Sequence, residues 1–148
     1  MTSKDKDDLF YVCSLIEFLR RKTKNHIKDI IKILGSKEIK RQLHLAEVNH
    51  SLSFEQVADE LIQHFNIKDG SFDSVSNCKY TVPTFLSIGK VYQTLIINIR
   101  RDDEDLSELI CTVLTSFICD EISNFNSSVY YSNPDYLKFS YLEGKLLP

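Results

Sequence analysis

The 148-residue sequence is poor in the residues that build several common kinds of site. It contains no tryptophan, one methionine, three prolines and four glycines. The glycines stand far apart, whereas phosphate-binding loops and dinucleotide-binding fingerprints need closely spaced glycines so that backbone N–H groups can approach the anion. No apolar run approaches the roughly 18 residues that a membrane-spanning helix requires. We therefore expect neither of these nucleotide-binding motifs and no membrane partner.

The four cysteines do not form a recognisable site. No two of them have CxxC spacing, so the sequence predicts neither a disulfide framework nor a structural zinc site. Cys13, Cys111 and Cys119 lie within apolar helical patterns, where a free cysteine packs as a small hydrophobic residue. Cys78 lies in a polar segment and is the one thiol that we expect to be accessible. Its only neighbouring activating group is Lys79, which is weak support for a nucleophile.

The histidines also lack the spacing of a zinc protease. In HLAEVNH, His44 and His50 are six residues apart, whereas that motif places two histidines one helical turn apart with a glutamate between them. A metal site at His44, Glu47 and His50 is the weaker alternative. The GxSxG motif of serine hydrolases is also missing. We therefore expect a protein that is not an enzyme and that carries no metal, cofactor or catalytic residue.

The composition is that of an ordinary globular domain. Hydrophobic residues make up 43% and charged residues 26% of the chain, close to the averages of globular proteins. A single domain of this length buries roughly 68–70% of its unfolded surface. The first ten residues, MTSKDKDDLF, are polar and lack the apolar stretch of a secretory signal. We expect one domain over residues 1–148, located in the cytoplasm.

Apolar residues recur with helical spacing along most of the chain. This pattern predicts an all-α, single compact domain of about seven helices. The first helix carries apolar residues on more than one side, which predicts burial on several sides. The central loop, residues 66–84, breaks the periodicity, and any subdomain boundary would fall within it. The predicted helices cover approximately residues 9–24, 27–34, 36–46, 54–65, 85–99, 106–125 and 134–144.

Capping signals support several of these boundaries. Ser53 and Gln56 have the spacing of a capping box, and Gly35 suits the left-handed cap that ends a helix. Asn133 followed by Pro134 is typical of a helix start. We expect the first, fifth and sixth helices to form the central packing and the second to fourth to form a smaller hairpin layer.

Basic residues are concentrated in residues 20–41. This segment holds nine of the eighteen basic residues but only two acidic ones, although the whole chain has a net charge of −3. Such a segment could contact an acidic protein or phosphates. Its part IKDIIKILGSKEIKRQL, residues 27–43, resembles a helix-turn-helix, although Ile39 follows Gly35 sooner than usual. The candidate partner contacts are Arg20, Arg21, Lys24, Lys28 and Lys32.

Amides, serines and tyrosines are concentrated in NFNSSVYY, residues 124–131. This segment is the predicted turn between the last two helices. Its tyrosines could simply pack against the body of the domain with their hydroxyls at the surface. The same composition is also typical of adaptable binding surfaces. Asn126, Tyr130 and Tyr131 are therefore candidate partner contacts.

Four phrases of the sequence resemble a family of small bacterial helical proteins that has no assigned activity. They are LFYVCSLIEFLRRKTKN, CKYTVPTFLSIGKVYQTLI, NSSVYYSNPDYL and YLEGKLL, and together the similarity covers almost the whole chain. The family is similar to accessory proteins encoded in small gene cassettes beside ADP-ribosyltransferase-like toxins. The resemblance implies an antitoxin or immunity role and a protein partner, and it supplies no catalytic residues.

These observations lead to one functional hypothesis and one alternative. The hypothesis is a non-enzymatic protein-binding module inside a bacterial cell, with an antitoxin or immunity role. The alternative is a nucleic-acid-binding regulator that uses residues 20–41. A homodimer is a further option, since the wide apolar stripe of the first or the sixth predicted helix could form an interface.

Overall fold

The chain folds into seven α-helices and has no β-strand. The computed structural model describes residues 1–148, of which 68% are helical. The predicted all-α class is confirmed. Five of the seven predicted helix starts agree with the structure, whereas the first helix begins at Ser3 and not at residue 9, and no helix begins at residue 36. The helices are α1 (Ser3–Thr23), α2 (Ile27–Asn49), α3 (Phe54–Phe65), α4 (Phe85–Ile99), α5 (Leu106–Leu114), α6 (Phe117–Ser123) and α7 (Pro134–Glu143), with a 3₁₀ turn at Val129–Tyr131.

Side-chain caps fix the starts of five of these helices, α1, α3, α4, α5 and α7. The Ser53 hydroxyl accepts a hydrogen bond from the backbone N–H of Gln56 at the start of α3. Asn133 accepts from the N–H of Asp135 at 2.8 Å, directly before the proline that opens α7. Each cap satisfies an N–H group that lacks a partner within its helix. The boundaries of these helices are thus encoded locally.

The second and third predicted helices form one kinked helix, α2. Gly35 interrupts the helix with φ 75° and ψ 167°, a conformation that residues other than glycine rarely adopt. No atom lies within 4 Å of a Cβ placed on this glycine. The backbone conformation, and not a lack of space, therefore requires glycine here.

The sixth predicted helix is divided into α5 and α6. The Thr115 hydroxyl donates to the carbonyl of Cys111 at 2.7 Å, and the Ser116 hydroxyl donates to the carbonyl of Val113 at 2.6 Å. Side chains that bond to carbonyls in this way compete with the helical backbone pattern. Two such residues in succession end α5, and α6 begins at the next residue.

Helix α1 lies at the centre of the domain. Nearly every residue from Leu9 to Arg20 is buried, which confirms that this helix is covered on several sides. It packs against α2 and α4, while α5 packs mainly against α2 and α7 lies against α4 and α6. The predicted layering is therefore wrong in one respect, because α2 is part of the central packing. The apolar stripes proposed for a homodimer interface, on α1 and α5, are covered within the single chain.

Helices α1 and α4 lie very close together at Ser14 and Gly89. A Cβ atom at position 89 would lie 2.9 Å from the Cα of Ser14, nearer than such atoms pack in proteins. Ser14 is itself completely buried. Glycine at position 89 therefore allows α4 to lie directly on α1.

The central loop is attached to the C-terminal end of α1. The backbone N–H of Gly70 donates to the carbonyl of Thr23, and that of Phe72 donates to the carbonyl of Lys24, both at 2.8 Å. These two bonds hold the loop against the helix end.

The domain has one continuous core of 30 buried hydrophobic residues. None of the helices combines the length and apolar character needed to cross a membrane.

Candidate functional site

A broad surface groove lies between the end of the central loop and the segment that joins α6 to α7. Its volume is about 1010 Å³. We call it the tyrosine groove because three of its lining residues are tyrosines. The lining residues are Lys79, Tyr80, Thr81, Phe125, Asn126, Ser127, Ser128, Tyr130 and Tyr131.

Asn126 holds the two walls of the tyrosine groove together. Its Oδ1 accepts a hydrogen bond from the N–H of Lys79 at 2.7 Å, and its Nδ2 donates to the carbonyl of Asn77 at 3.1 Å. The residue is exposed, as expected for a candidate contact. However, both ends of its amide are engaged within the protein. Asn126 therefore positions the opposite wall in addition to lying at the surface.

The tyrosines present large aromatic surfaces on both walls. Tyr80 is 68% exposed and Tyr131 is 70% exposed. Tyr130 is half-buried, and its ring packs edge-on against Phe125 and Tyr131 with centroid distances of 5.8 and 4.8 Å. Tyrosine contributes rigid, amphipathic contact area at protein interfaces. The exposed pair, Tyr80 and Tyr131, thus has the character of interface anchors.

Sequence reasoning missed Tyr80. It follows the half-buried Cys78, whose Sγ lies 3.3 Å from the carbonyl oxygen of Tyr80. The available signal was the position of Tyr80 within the predicted central loop, residues 66–84, because loops run over the surface and often carry binding residues. The partner wall, which lies 47 residues away along the chain, could not be identified from that signal.

A buried ionic cluster lies beside the tyrosine groove, on the other side of Phe125. Glu17 accepts hydrogen bonds from the Nε and Nη2 of Arg20, at 2.9 and 2.6 Å, and from the Nε of Arg21 at 2.6 Å. The Nη1 of Arg20 donates to the hydroxyl of Ser74 at 2.9 Å. We call Glu17, Arg20 and Arg21 the Glu17 cluster. It joins α1 to the central loop.

Aromatic rings complete the surroundings of the Glu17 cluster. The guanidinium carbon of Arg21 lies 4.8 Å from the ring centre of Phe125, and that of Arg20 lies 5.5 Å from the rings of both Phe72 and Phe125. A desolvated guanidinium is stabilised by the negative face of an aromatic ring. Phe125 therefore contacts the cluster and also lines the tyrosine groove.

The structure corrects the predicted role of Arg20 and reduces that of Arg21. The side chain of Arg20 is completely buried, and that of Arg21 is 14% exposed. The two arginines are therefore not the exposed partner contacts that the sequence predicted. The sequence did contain a signal, because Glu17 lies three and four residues before them and such spacing pairs charges on a helix.

The other three predicted basic contacts are accessible. Lys24 lies 4.0 Å from Asp73, and Lys28 lies 3.4 Å from Asp120, so both have acidic neighbours. Lys32 is exposed and makes no ion pair within 4.0 Å. The predicted basic set is thus divided between a buried cluster, the C-terminal end of α1 at Lys24 and the surface of α2.

The predicted helix-turn-helix segment, residues 27–43, lies entirely within α2. Its two halves are joined by Gly35 alone, whereas the motif joins two helices by a turn of three or four residues. Two further basic residues of this segment, Lys37 and Lys40, are exposed. Exposed basic residues of the predicted segment therefore lie along a kinked helix.

Two of the four thiols, those of Cys13 and Cys119, are buried. Burial raises the pKa of the thiols of Cys13 and Cys119 far above the ordinary value, and it also raises that of Cys111. Burial likewise raises the pKa of Tyr92, whose hydroxyl lies 3.2 Å from that of Ser123. No group of three or more histidine, cysteine, aspartate or glutamate side chains has an arrangement that could hold a metal ion.

Comparison with known proteins gives no match, whether to protein-family models, to curated proteins or to solved structures. The resemblance stated from the sequence therefore stays a prediction.

Proposed function

We propose that the protein is a binding module for another protein and that the tyrosine groove is its contact surface. One observation carries this proposal: Tyr80 and Tyr131 are both largely exposed on opposite walls of one groove. Two such rings in one groove offer apolar surface whose removal from water would favour binding of a partner. The walls are held by Asn126, so the groove is already formed before a partner binds.

The proposed biological role is that of an antitoxin or immunity component in a bacterial toxin cassette. This part rests on the family resemblance of the four sequence phrases. A location in the cytoplasm belongs to the same proposal and rests on the sequence prediction. The proposed activity is non-enzymatic, since binding alone would neutralise a toxin.

Affinity capture from the bacterium that encodes the protein tests this proposal. The bait is the tagged full chain, compared with the double variant Tyr80→Ala/Tyr131→Ala. The matched control is Phe139→Ala/Leu142→Ala, which removes two exposed apolar side chains of α7 outside the groove. We expect one protein, identified by mass spectrometry as toxin-like, to bind the wild type and the control. Its dissociation constant should rise at least about tenfold with the groove variant.

Two results would contradict the proposal. One is a partner that binds the groove variant as tightly as the wild type. The other is turnover of a small molecule by the purified chain that stops when residues of the groove are replaced. Either result would show that protein binding is not the function of the tyrosine groove.

Nucleic-acid binding by α2 is the second candidate function. It is favoured by Lys32, Lys37 and Lys40, which are exposed and form no ion pair within 4.0 Å. Phosphate binding by lysines weakens steeply as the salt concentration rises. Duplex DNA binding should therefore fall between about 50 and 200 mM salt, and the triple lysine-to-glutamate variant should abolish it. Absent binding, or binding that salt does not weaken, would remove this candidate.

A further inference from the structure

The backbone along one wall of the tyrosine groove has free hydrogen-bonding groups. The N–H groups of Tyr80, Thr81 and Val82 donate to no acceptor in the protein, and the carbonyls of Thr81 and Val82 accept from no donor. This stretch is not helical, and no strand lies beside it. A row of unpaired peptide groups at a surface is a template for pairing with another extended chain.

A small apolar pocket adjoins the tyrosine groove between α4 and α7. Its volume is about 120 Å³, and Tyr130 lines both the pocket and the groove. An apolar cavity of about 150 Å³ can hold a benzene molecule, so this pocket suits one aliphatic side chain. The other lining residues are Lys90, Val91, Thr94, Leu95, Ser132, Pro134 and Leu137.

The charged side chains that line the tyrosine groove and the apolar pocket are all basic. Lys79 lines the tyrosine groove and Lys90 lines the apolar pocket, and neither lining contains a carboxylate. An acidic side chain would therefore be favoured on whatever occupies them. Main-chain pairing supplies affinity in such complexes, and pockets for individual side chains supply specificity.

From these three observations we propose that the tyrosine groove binds an extended segment of the partner protein. The segment pairs its backbone with residues 80–82, inserts one aliphatic side chain into the pocket beside Tyr130, and carries an acidic residue near that anchor. This inference rests on the proposed protein-binding function and specifies the partner's chemistry at the same site.

A library of random twelve-residue peptides displayed on phage, selected on the full chain, tests the inference. We expect the selected peptides to share an aliphatic residue with an acidic neighbour. A selected peptide is then labelled with fluorescein, and its dissociation constant is measured by fluorescence anisotropy. Methylation of a backbone nitrogen beside the aliphatic anchor should raise the dissociation constant at least tenfold, because it removes a hydrogen-bond donor, while methylation at the peptide's end should not.

A pocket-filling variant provides the second measurement. Thr94→Phe places a large ring at the pocket, and Thr112→Phe makes the same substitution on an exposed face of α5, outside it. Thr94→Phe should weaken peptide binding at least tenfold, whereas Thr112→Phe should leave it unchanged. Thermal unfolding of both variants establishes that each is folded before binding is compared.

Three results would overturn the inference. The first is a selection that enriches no shared motif. The second is peptide binding that neither backbone methylation nor Thr94→Phe weakens. The third is a dimer of this chain that Thr94→Phe dissociates, which would make the occupant a second copy.

Capture of the natural partner distinguishes a failure of this inference from a failure of the proposed function. If the captured protein is lost with Tyr80→Ala/Tyr131→Ala but binds Thr94→Phe normally, the groove binds protein and the extended-segment inference fails. If it binds the groove variant normally, the proposed function itself fails.

Discussion

The Glu17 cluster and the tyrosine groove distribute polar and aromatic groups in opposite ways. In the cluster, a carboxylate and two guanidinium groups are buried, whereas in the groove Tyr80 and Tyr131 are exposed. The cluster pairs its carboxylate with both guanidinium groups and joins α1 to the central loop, although the Nη2 of Arg21 has no hydrogen-bond partner. The groove leaves aromatic surface and backbone groups without protein partners. This difference separates residues that maintain the fold from residues available for binding.

Phe125 connects these two regions. Its ring contacts the guanidinium groups of the Glu17 cluster, and it also lines the tyrosine groove. The segment that carries Asn126, Tyr130 and Tyr131 is therefore positioned in part by buried charges on α1. Substitutions in the Glu17 cluster should mainly affect stability, whereas substitutions of the groove tyrosines should mainly affect binding. Four predictions test this difference.

The largest effect is expected from Arg20→Ala. The substitution removes two of the three hydrogen bonds that Glu17 accepts and leaves it paired with Arg21 alone. Breaking a buried ion pair costs about 3–5 kcal/mol of unfolding free energy, and the remaining Arg21 pair places the expected loss at the lower end of that range. Arg20→Lys should cost less but remain destabilising, because lysine cannot donate two parallel hydrogen bonds to Glu17. Urea denaturation followed by circular dichroism measures both. A loss below about 1 kcal/mol for Arg20→Ala would contradict the role given to the cluster.

Lys32→Ala is the matched control for that measurement. Lys32 belongs to the same basic segment but is exposed and unpaired, so its replacement should change the unfolding free energy by no more than about 0.5 kcal/mol.

A smaller loss is expected from Asn126→Ala, which removes the link between the groove walls. Two hydrogen bonds disappear, at about 0.5–1.5 kcal/mol each, and partner binding should weaken as well because the walls separate. The control is Ser128→Ala in the same groove, whose hydroxyl makes no hydrogen bond within the protein. Equal stability of the two variants would show that Asn126 does not hold the walls together.

An acid-dependent contribution is expected from Asp73, in the loop that covers the cluster. Hydrogen bonding from the Ser76 backbone N–H lowers the pKa of Asp73 below its ordinary value of 3.8. Its carboxylate therefore stabilises the fold above that value, and this contribution is lost as the pH falls through the lowered pKa. Asp73→Asn keeps the acceptor oxygen and removes the titration. Its unfolding free energy should fall less than that of the wild type between about pH 5 and pH 2. Parallel pH profiles for the two proteins would contradict this assignment.

The smallest change in stability is expected from Tyr80→Ala and Tyr131→Ala. Both side chains are largely exposed, so each substitution should change the unfolding free energy by no more than about 0.5 kcal/mol. Partner binding, in contrast, should weaken, and it should weaken at least about tenfold when both residues are replaced. A large loss of stability would instead indicate that these rings pack within the fold.

Local signals made much of the fold predictable. The caps at Ser53 and Asn133 start helices where expected, and the broad apolar surface of α1 indicated its burial. The candidate contacts Asn126, Tyr130 and Tyr131 do line one groove. These features depend on residues within a few positions of one another, so they could be read from the sequence.

Contacts between distant segments were not predictable in the same way. Arg20 is buried because Ser74 and Phe125 cover it, and neither is close to it in sequence. The position of Tyr80 opposite Tyr131 depends on a hydrogen bond that spans 47 residues. The place of α2 beside α1 similarly follows from the packing of the whole chain. No local pattern encodes such pairings.

The attachment of the central loop to α1 has a practical consequence for engineering. Irregular stretches between helices are usually chosen for inserting a reporter or for dividing a protein into complementary fragments. Here the Gly70 and Phe72 backbone bonds would be strained by an insertion, and a cut would separate α1 from α4, which covers it. Two fragments made by cutting this loop would each expose core residues and would therefore associate with each other. The signal of a split-reporter assay built on them would report that reassembly and not the binding of a partner.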